Sequence, residues 1–141
     1  MQKVILITGS TDGIGFETAK ALVQQGHHVL LHGRNPSKLK NVEQQLIALS
    51  TQAKIQSYVA DLSILADVDA LADEVIAEHE KVDVLINNAG VFNTPNPITK
   101  DGLDVRFAVN TVSPYHLTKR LLPVFDSSSR VVNLSSAAQA Q

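Results

Sequence analysis

Residues 8–15, Thr8-Gly9-Ser10-Thr11-Asp12-Gly13-Ile14-Gly15, join three glycines to short polar side chains. The aliphatic run Val4-Ile5-Leu6-Ile7 precedes them, and a helix-spaced apolar set, Ile14, Ala19, Leu22 and Val23, follows. Glycine admits backbone angles and close approaches that a Cβ would block. A helix N-terminus behind such a loop offers unpaired N–H groups and the positive end of a dipole, which suits a phosphate. The glycines are spaced G-x-x-x-G-x-G rather than G-x-G-x-x-G. Alone, such a loop is often only a tight turn. Between a buried strand and a helix it favours a nucleotide.

A second chemical feature is Asn110 with Pro114 four residues later. Proline has no N–H, so the Asn110 carbonyl loses its α-helical donor, and the helix is expected to kink there with that carbonyl turned to water. Of histidines 27, 28, 32, 79 and 116, the first two are adjacent at a strand start with diverging side chains, the last two lie on different expected helices without an H-x-x-x-H spacing, and the sequence holds no cysteine. They read as surface or partly buried side chains, and no metal is expected.

The elements that must position these residues alternate along the chain. Val4–Ile7, Val29–Leu31, Ile55–Val59, Val82–Ile86 and Val131–Leu134 read as strands, most of them apolar enough to be buried on both faces. Between them, Leu39, Val42, Leu46 and Leu49 make a helix opened by Pro36. Val68, Leu71, Ala72, Val75 and Ile76 line one face of another, and a longer helix is expected from about Leu103 to Phe125. Gly26 is the expected end of the first helix. Five strand–helix alternations with right-handed crossovers imply one α/β domain over residues 1–141: a doubly wound parallel sheet of the Rossmann type, order 3-2-1-4-5. Its ligand is expected at the carboxyl edge near strands 1 and 4.

With 141 residues and 44% apolar content the chain can build an ordinary core. Net charge is −2 and the basic residues are scattered, which argues against a nucleic-acid surface. No apolar run reaches membrane-spanning length, and the first strand begins too early for a signal peptide, so a cytoplasmic protein is expected.

The Thr8–Gly15 run resembles the glycine motif of the short-chain dehydrogenases/reductases, and three further segments extend the match in family order. Asn87-Asn88-Ala89-Gly90 looks like that family's N-N-A-G motif. Asn110 falls at its active-site asparagine, and Val132-Asn133-Leu134-Ser135-Ser136 is similar to the strand that delivers its catalytic serine. Asp101-Gly102-Leu103 gives the later half a look of the retinol-dehydrogenase-like branch. The resemblance implies that Gly9, Ser10, Thr11, Asp12, Gly13, Ile14 and Gly15 cradle a dinucleotide, with Asn88, Ala89 and Gly90 along it. Asp61 and Leu62 would meet the adenine, although Asp61 or Ser63 also reads as a cap for the next helix.

NAD-binding sheets usually place a carboxylate after the second strand, on the ribose 2′-hydroxyl. Here that position reads as Gly33, followed by Arg34, whose planar fork suits a 2′-phosphate. NADP(H) is therefore expected in preference to NAD(H). The resemblance implies hydride transfer to or from a small carbonyl or alcohol substrate, in an enzyme that is a homo-oligomer when intact. Ser136 would orient the substrate oxygen and Asn110 would support a water.

The family's Tyr-x-x-x-Lys pair is expected on a helix after the serine strand. Tyr115 and Lys119 match the pattern but precede that strand, and on a regular helix they stand about 140° and 180° from Asn110. They are read as ordinary helix residues. The expectation is thus a domain truncated after strand 5, inactive by itself, with an apolar edge. The alternative is a non-catalytic dinucleotide-binding module.

Overall fold

A computed structural model describes residues 1–90 and 97–134. The aliphatic runs form β1 (Val4–Ile7), β2 (His28–Gly33), β3 (Lys54–Val59), β4 (Val84–Asn87) and β5 (Arg130–Asn133). All neighbours are parallel, in the expected order β3-β2-β1-β4-β5. Strand alternation sends Leu6, Leu30, Tyr58 and Leu85 to one face, and Ile5, Ile7, Val29 and Leu31 to the other. Each face carries its own helical layer.

On the second face lie α1 (Gly13–Gln24) and α2 (Pro36–Ile47). Pro36 occupies the first turn of α2, and the Asn35 side chain accepts the Lys38 N–H at 3.1 Å. Leu39, Val42 and Leu46 enter the core as expected. Leu49 does not: the helix stops at Ile47, the Leu49 N–H closes back on the Leu46 carbonyl, and its side chain is exposed.

On the first face, α3 (Leu65–Glu78) buries Val68, Leu71, Ala72 and Val75. Neither Asp61 nor Ser63 caps it. Asp61 Oδ1 accepts from the Ser63 amide and hydroxyl, while the Leu65 N–H donates to Asp101 Oδ2 at 2.9 Å. The cap comes from a turn that is remote in sequence, which local spacing could not reveal.

The long helix expected over 103–125, kinked at Asn110, is divided into several pieces. A single turn α4 (Val105–Phe107) starts after Asp104, whose carboxylate accepts the Arg106 and Phe107 amides. A π-helical stretch covers Ala108–Val112, and α5 runs Ser113–Arg120 before a 3₁₀ turn at Leu122–Val124. The Ser113 N–H reaches the Ala108 carbonyl, five residues back. The register thus widens just ahead of Pro114, which has no N–H to continue an α ladder. Arg120 fixes α5 to α3 through Asp69 at 2.7 Å and Asp73 at 2.5 Å, with His116 also on Asp69.

Val131 and Val132 of β5 are exposed on the edge of the described sheet. Among the described residues no helix is long and apolar enough to cross a membrane. Asp101→Ala should lower stability by about 1 kcal/mol, the usual scale of a lost helix cap. Urea unfolding reads this as a lower midpoint at unchanged slope. An unchanged midpoint would mean that water replaces the carboxylate at Leu65.

Candidate cofactor site

The glycine loop leaves the carboxyl end of β1 and is held from both sides. Toward β4, Thr8 Oγ1 accepts the Asn88 and Ala89 amides, each at 3.0 Å, and Asn88 Nδ2 donates to the Gly9 carbonyl at 2.9 Å. Toward β2, the Gly9 N–H donates to His32 Nδ1 at 2.9 Å. The Ser10 amide donates to the His32 carbonyl at 2.9 Å, and the Ser10 hydroxyl accepts the His32 N–H at 2.9 Å. Ser10 is thus buried and its polar groups serve the sheet.

His32 corrects the reading of the histidines as surface or partly buried, since it is only 2% exposed. Its Nε2 lies 2.9 Å from the Ala60 carbonyl. One ring nitrogen must accept from Gly9 and the other donate to Ala60, which assigns the neutral tautomer with its proton on Nε2. Burial pushes the imidazole pKa down, against the opposing pulls of the Ala60 bond and the Asp61 charge. A polar residue at the end of the apolar run Val29-Leu30-Leu31 was the available signal.

Helix α1 packs directly on this loop because Gly15 has no side chain. A Cβ there would stand 2.1 Å from the Gly9 carbonyl oxygen and 2.4 Å from Asn88 Nδ2. Gly13 has φ +58° with open space beside it, a conformation costly for other residues. Asp12 precedes α1 but does not cap it, its carboxylate lying 2.6 Å from Lys38 Nζ. Among the described residues no side chain therefore caps the N-terminus of α1. Ile14 is 70% exposed there and does not join the apolar face assigned to it from sequence.

At the end of β2, Gly33 is buried, and a Cβ on it would meet Thr11 Cγ2 at 2.7 Å. Arg34 follows, exposed and without an ion pair among the described residues. At the end of β3, the Asp61 N–H is taken by Asp67 Oδ2 at 2.8 Å. Leu62 is buried in the core, and its carbonyl accepts the Ser113 hydroxyl at 2.5 Å. That bond anchors the start of α5 beneath the site.

Beyond β4, Gly90 is exposed, and a Cβ on it would lie 3.4 Å from Asn110 Oδ1. The π-helical stretch thus brings Asn110 beside the Asn88-Ala89-Gly90 segment. Tyr115 on α5 is 69% exposed, and Lys119 is also exposed. Asn87 reads from the sequence only as part of the N-N-A-G match, with no role of its own. Its Nδ2 donates to Asn133 Oδ1 at 2.8 Å, tying β4 to β5, and the first asparagine of an Asn-Asn pair at a strand end was the clue. Ser135, Ser136 and residues 93–96 lie outside the described residues. The described candidates other than Asn110 follow carboxyl ends of parallel strands, and Asn110 joins that edge from the π-helical stretch. Among the described residues, no group of three or more metal-ligating side chains is assembled.

Comparison with known proteins agrees with this geometry. The family model described as short chain dehydrogenase matches residues 3–141. An uncharacterized oxidoreductase of Schizosaccharomyces pombe is 37% identical over 99% of this chain and 43% of its own length. Human retinol dehydrogenase 13 is 35% identical over 96% of this chain and 42% of its own. The chain therefore spans less than half the length of these relatives. A metagenomic short-chain oxidoreductase solved in complex with NADP superposes with a TM-score of 0.75 at 34% identity, over 86% of this chain and 55% of that one. A five-stranded sheet in order 3-2-1-4-5, a glycine loop tied to N-N-A-G, and a family match across nearly every residue make this chain a member of the short-chain dehydrogenase family.

Proposed function

We propose that the chain forms the cofactor-binding part of an NADP(H)-dependent oxidoreductase acting on a small carbonyl or alcohol substrate. The observation that carries the cofactor choice is the closure of Gly33 by Thr11 directly before Arg34. A carboxylate at position 33 would have to displace Thr11, whose methyl lies 2.7 Å from the place of its Cβ. The same position next to a cationic fork suits a 2′-phosphate.

The residues present fit the dinucleotide. The uncapped N-terminus of α1 faces space beside Gly13, which suits the pyrophosphate. Thr11, Asp12, Gly13, Ile14 and Gly15 form that cradle, with Gly9 and Ser10 fixing it to the sheet. Arg34 pairs with the 2′-phosphate. Asp61 accepts from the adenine amino group through Oδ2, since Oδ1 is engaged by Ser63. Asn88, Ala89 and Gly90 border the nicotinamide half.

When bound, the nicotinamide supplies or accepts the hydride. Ser136 orients the substrate oxygen, and Asn110, in the π-helical stretch, holds a water of the proton relay. The intact protein is a homo-oligomer that pairs partly through α5.

Arg34→Glu should weaken NADP⁺ binding by tenfold or more relative to NAD⁺, since a bond between charged groups contributes about 1.5–3 kcal/mol. Calorimetric titration with both dinucleotides checks this, and equal affinities in the unmodified protein would remove the specificity. Gly33→Asp by itself should weaken both dinucleotides, whereas Gly33→Asp with Thr11→Gly should shift preference toward NAD⁺. Conversion by Gly33→Asp alone would show that Thr11 does not close the position.

A further inference from the structure

We propose that His32 is the positioning residue of the phosphate loop: its neutral Nε2–H tautomer holds Gly9 in place for the dinucleotide, and protonation of Nδ1 releases it. This rests on the dinucleotide reading of the site and adds a residue that touches neither cofactor nor substrate.

Three strand ends meet on this one side chain. Nδ1 accepts the Gly9 N–H from the loop after β1, at 2.9 Å. Nε2 donates to the Ala60 carbonyl just beyond β3, at 2.9 Å. The His32 backbone, at the end of β2, exchanges bonds with Ser10. Each ring nitrogen is spoken for, in opposite senses.

Protonation would turn Nδ1 into a donor facing the Gly9 N–H donor, with the pair buried away from water. Such a bond is not weakened but replaced by a repulsion, and a buried donor left unpaired is costly. Gly9 cannot simply shift. A Cβ placed on it would already stand 2.8 Å from Ala89 Cα, so its backbone is packed against the segment after β4. Its carbonyl is fixed by Asn88 Nδ2 and lies against Gly15 of α1. Movement at Gly9 is therefore passed to the cradle.

The groups around the imidazole favour the neutral form. Thr8, Gly9 and Ser10 from the β1 side carry no charge. Tyr58, its partner across the β2–β3 ladder, is held protonated by burial and by Glu78. Asp61, after β3, is the charge that favours the imidazolium, and burial outweighs it. Asp67 on α3 is engaged with the Asp61 amide. The folded-state pKa lies below the ordinary 6.5, so between the two values the unfolded chain binds more protons. The stability linked to His32 is therefore complete above about 6.5 and is lost as pH falls through the folded value.

The test uses the full chain with two readouts. Nitrogen-detected imidazole correlations should show His32 Nδ1 unprotonated and Nε2 protonated at pH 7.5, and on acidification the Gly9 amide should titrate with the same midpoint as His32. NADP⁺ affinity, measured by calorimetry, should fall about tenfold per pH unit below that midpoint, as expected when one proton excludes the ligand. His32→Asn, which keeps an acceptor for Gly9 but cannot be protonated, should bind at neutral pH and lack this limb. His32→Phe should bind weakly throughout. The 2′-phosphate titrates equally in all variants and cancels. Identical pH profiles for the unmodified protein and His32→Asn would overturn the proposal, as would a Gly9 amide indifferent to His32 protonation. Absence of NADP⁺ binding at pH 7.5 would instead refute the cofactor reading, and the Gly9 titration would still decide the role of His32.

Discussion

The Cα of Gly15 lies against the Gly9 carbonyl, so close that a methyl group would sit 2.1 Å from the oxygen. The same oxygen accepts from Asn88 Nδ2. One point of contact therefore joins the first turn of α1, the loop after β1 and the segment after β4. Because α1 can come this near, Ala19 and Val23 reach Ile5, Ile7 and Leu31 and close the second core face. Core packing and cradle geometry are set by the same missing side chain. A larger residue there would lift the helix from the sheet at the place where its N-terminus must face a ligand.

Much of this was legible in the sequence, for identifiable reasons. Strands buried on both faces are written as aliphatic runs, and helices between them leave little choice but a parallel sheet. Glycines 9, 13 and 15 are legible because nothing else satisfies those angles and approaches. Pro114 marked a break beside Asn110, but the form of the break was not readable. Helical periodicity continues across 103–125, and whether a ladder opens into a kink or widens by one residue depends on packing beneath it. There, Ser113 reaches the Leu62 carbonyl. Nor could local pattern show that Asp101 caps a helix starting at Leu65, since the partners meet only after the sheet has formed. His32 was misread for a related reason: alternation reports which face a strand residue takes, and not what lies opposite it.

The two edges of the sheet solve their polar requirements differently. At the amino edge, Lys81 pairs with Asp83 at 3.3 Å and Asp126 at 2.9 Å, and all three are in contact with solvent. Such pairs contribute little and are screened by salt. At the carboxyl edge the buried polar side chains are Thr8, Ser10, His32, Asn87 and Ser113, the full set among the described residues. All five are neutral.

That segregation has an electrostatic consequence for a polyanionic ligand. Neutral buried bonds are costly to leave unmade, so they hold the loop without placing a fixed carboxylate beside the phosphates. The dipole end of α1 is then available to the ligand rather than spent on an internal counter-charge. Charge is confined to the rim, where Arg34 stands exposed and Asp12 is already occupied by Lys38. His32 is the one member of the neutral set whose side chain can take up a proton, and burial moves that step below its ordinary range. A positive imidazole would add attraction for an anion, yet it would do so by breaking the Gly9 bond that gives the cradle its shape. Geometry wins over charge because the bond is direct at 2.9 Å, while the attraction would act through a loop no longer in place.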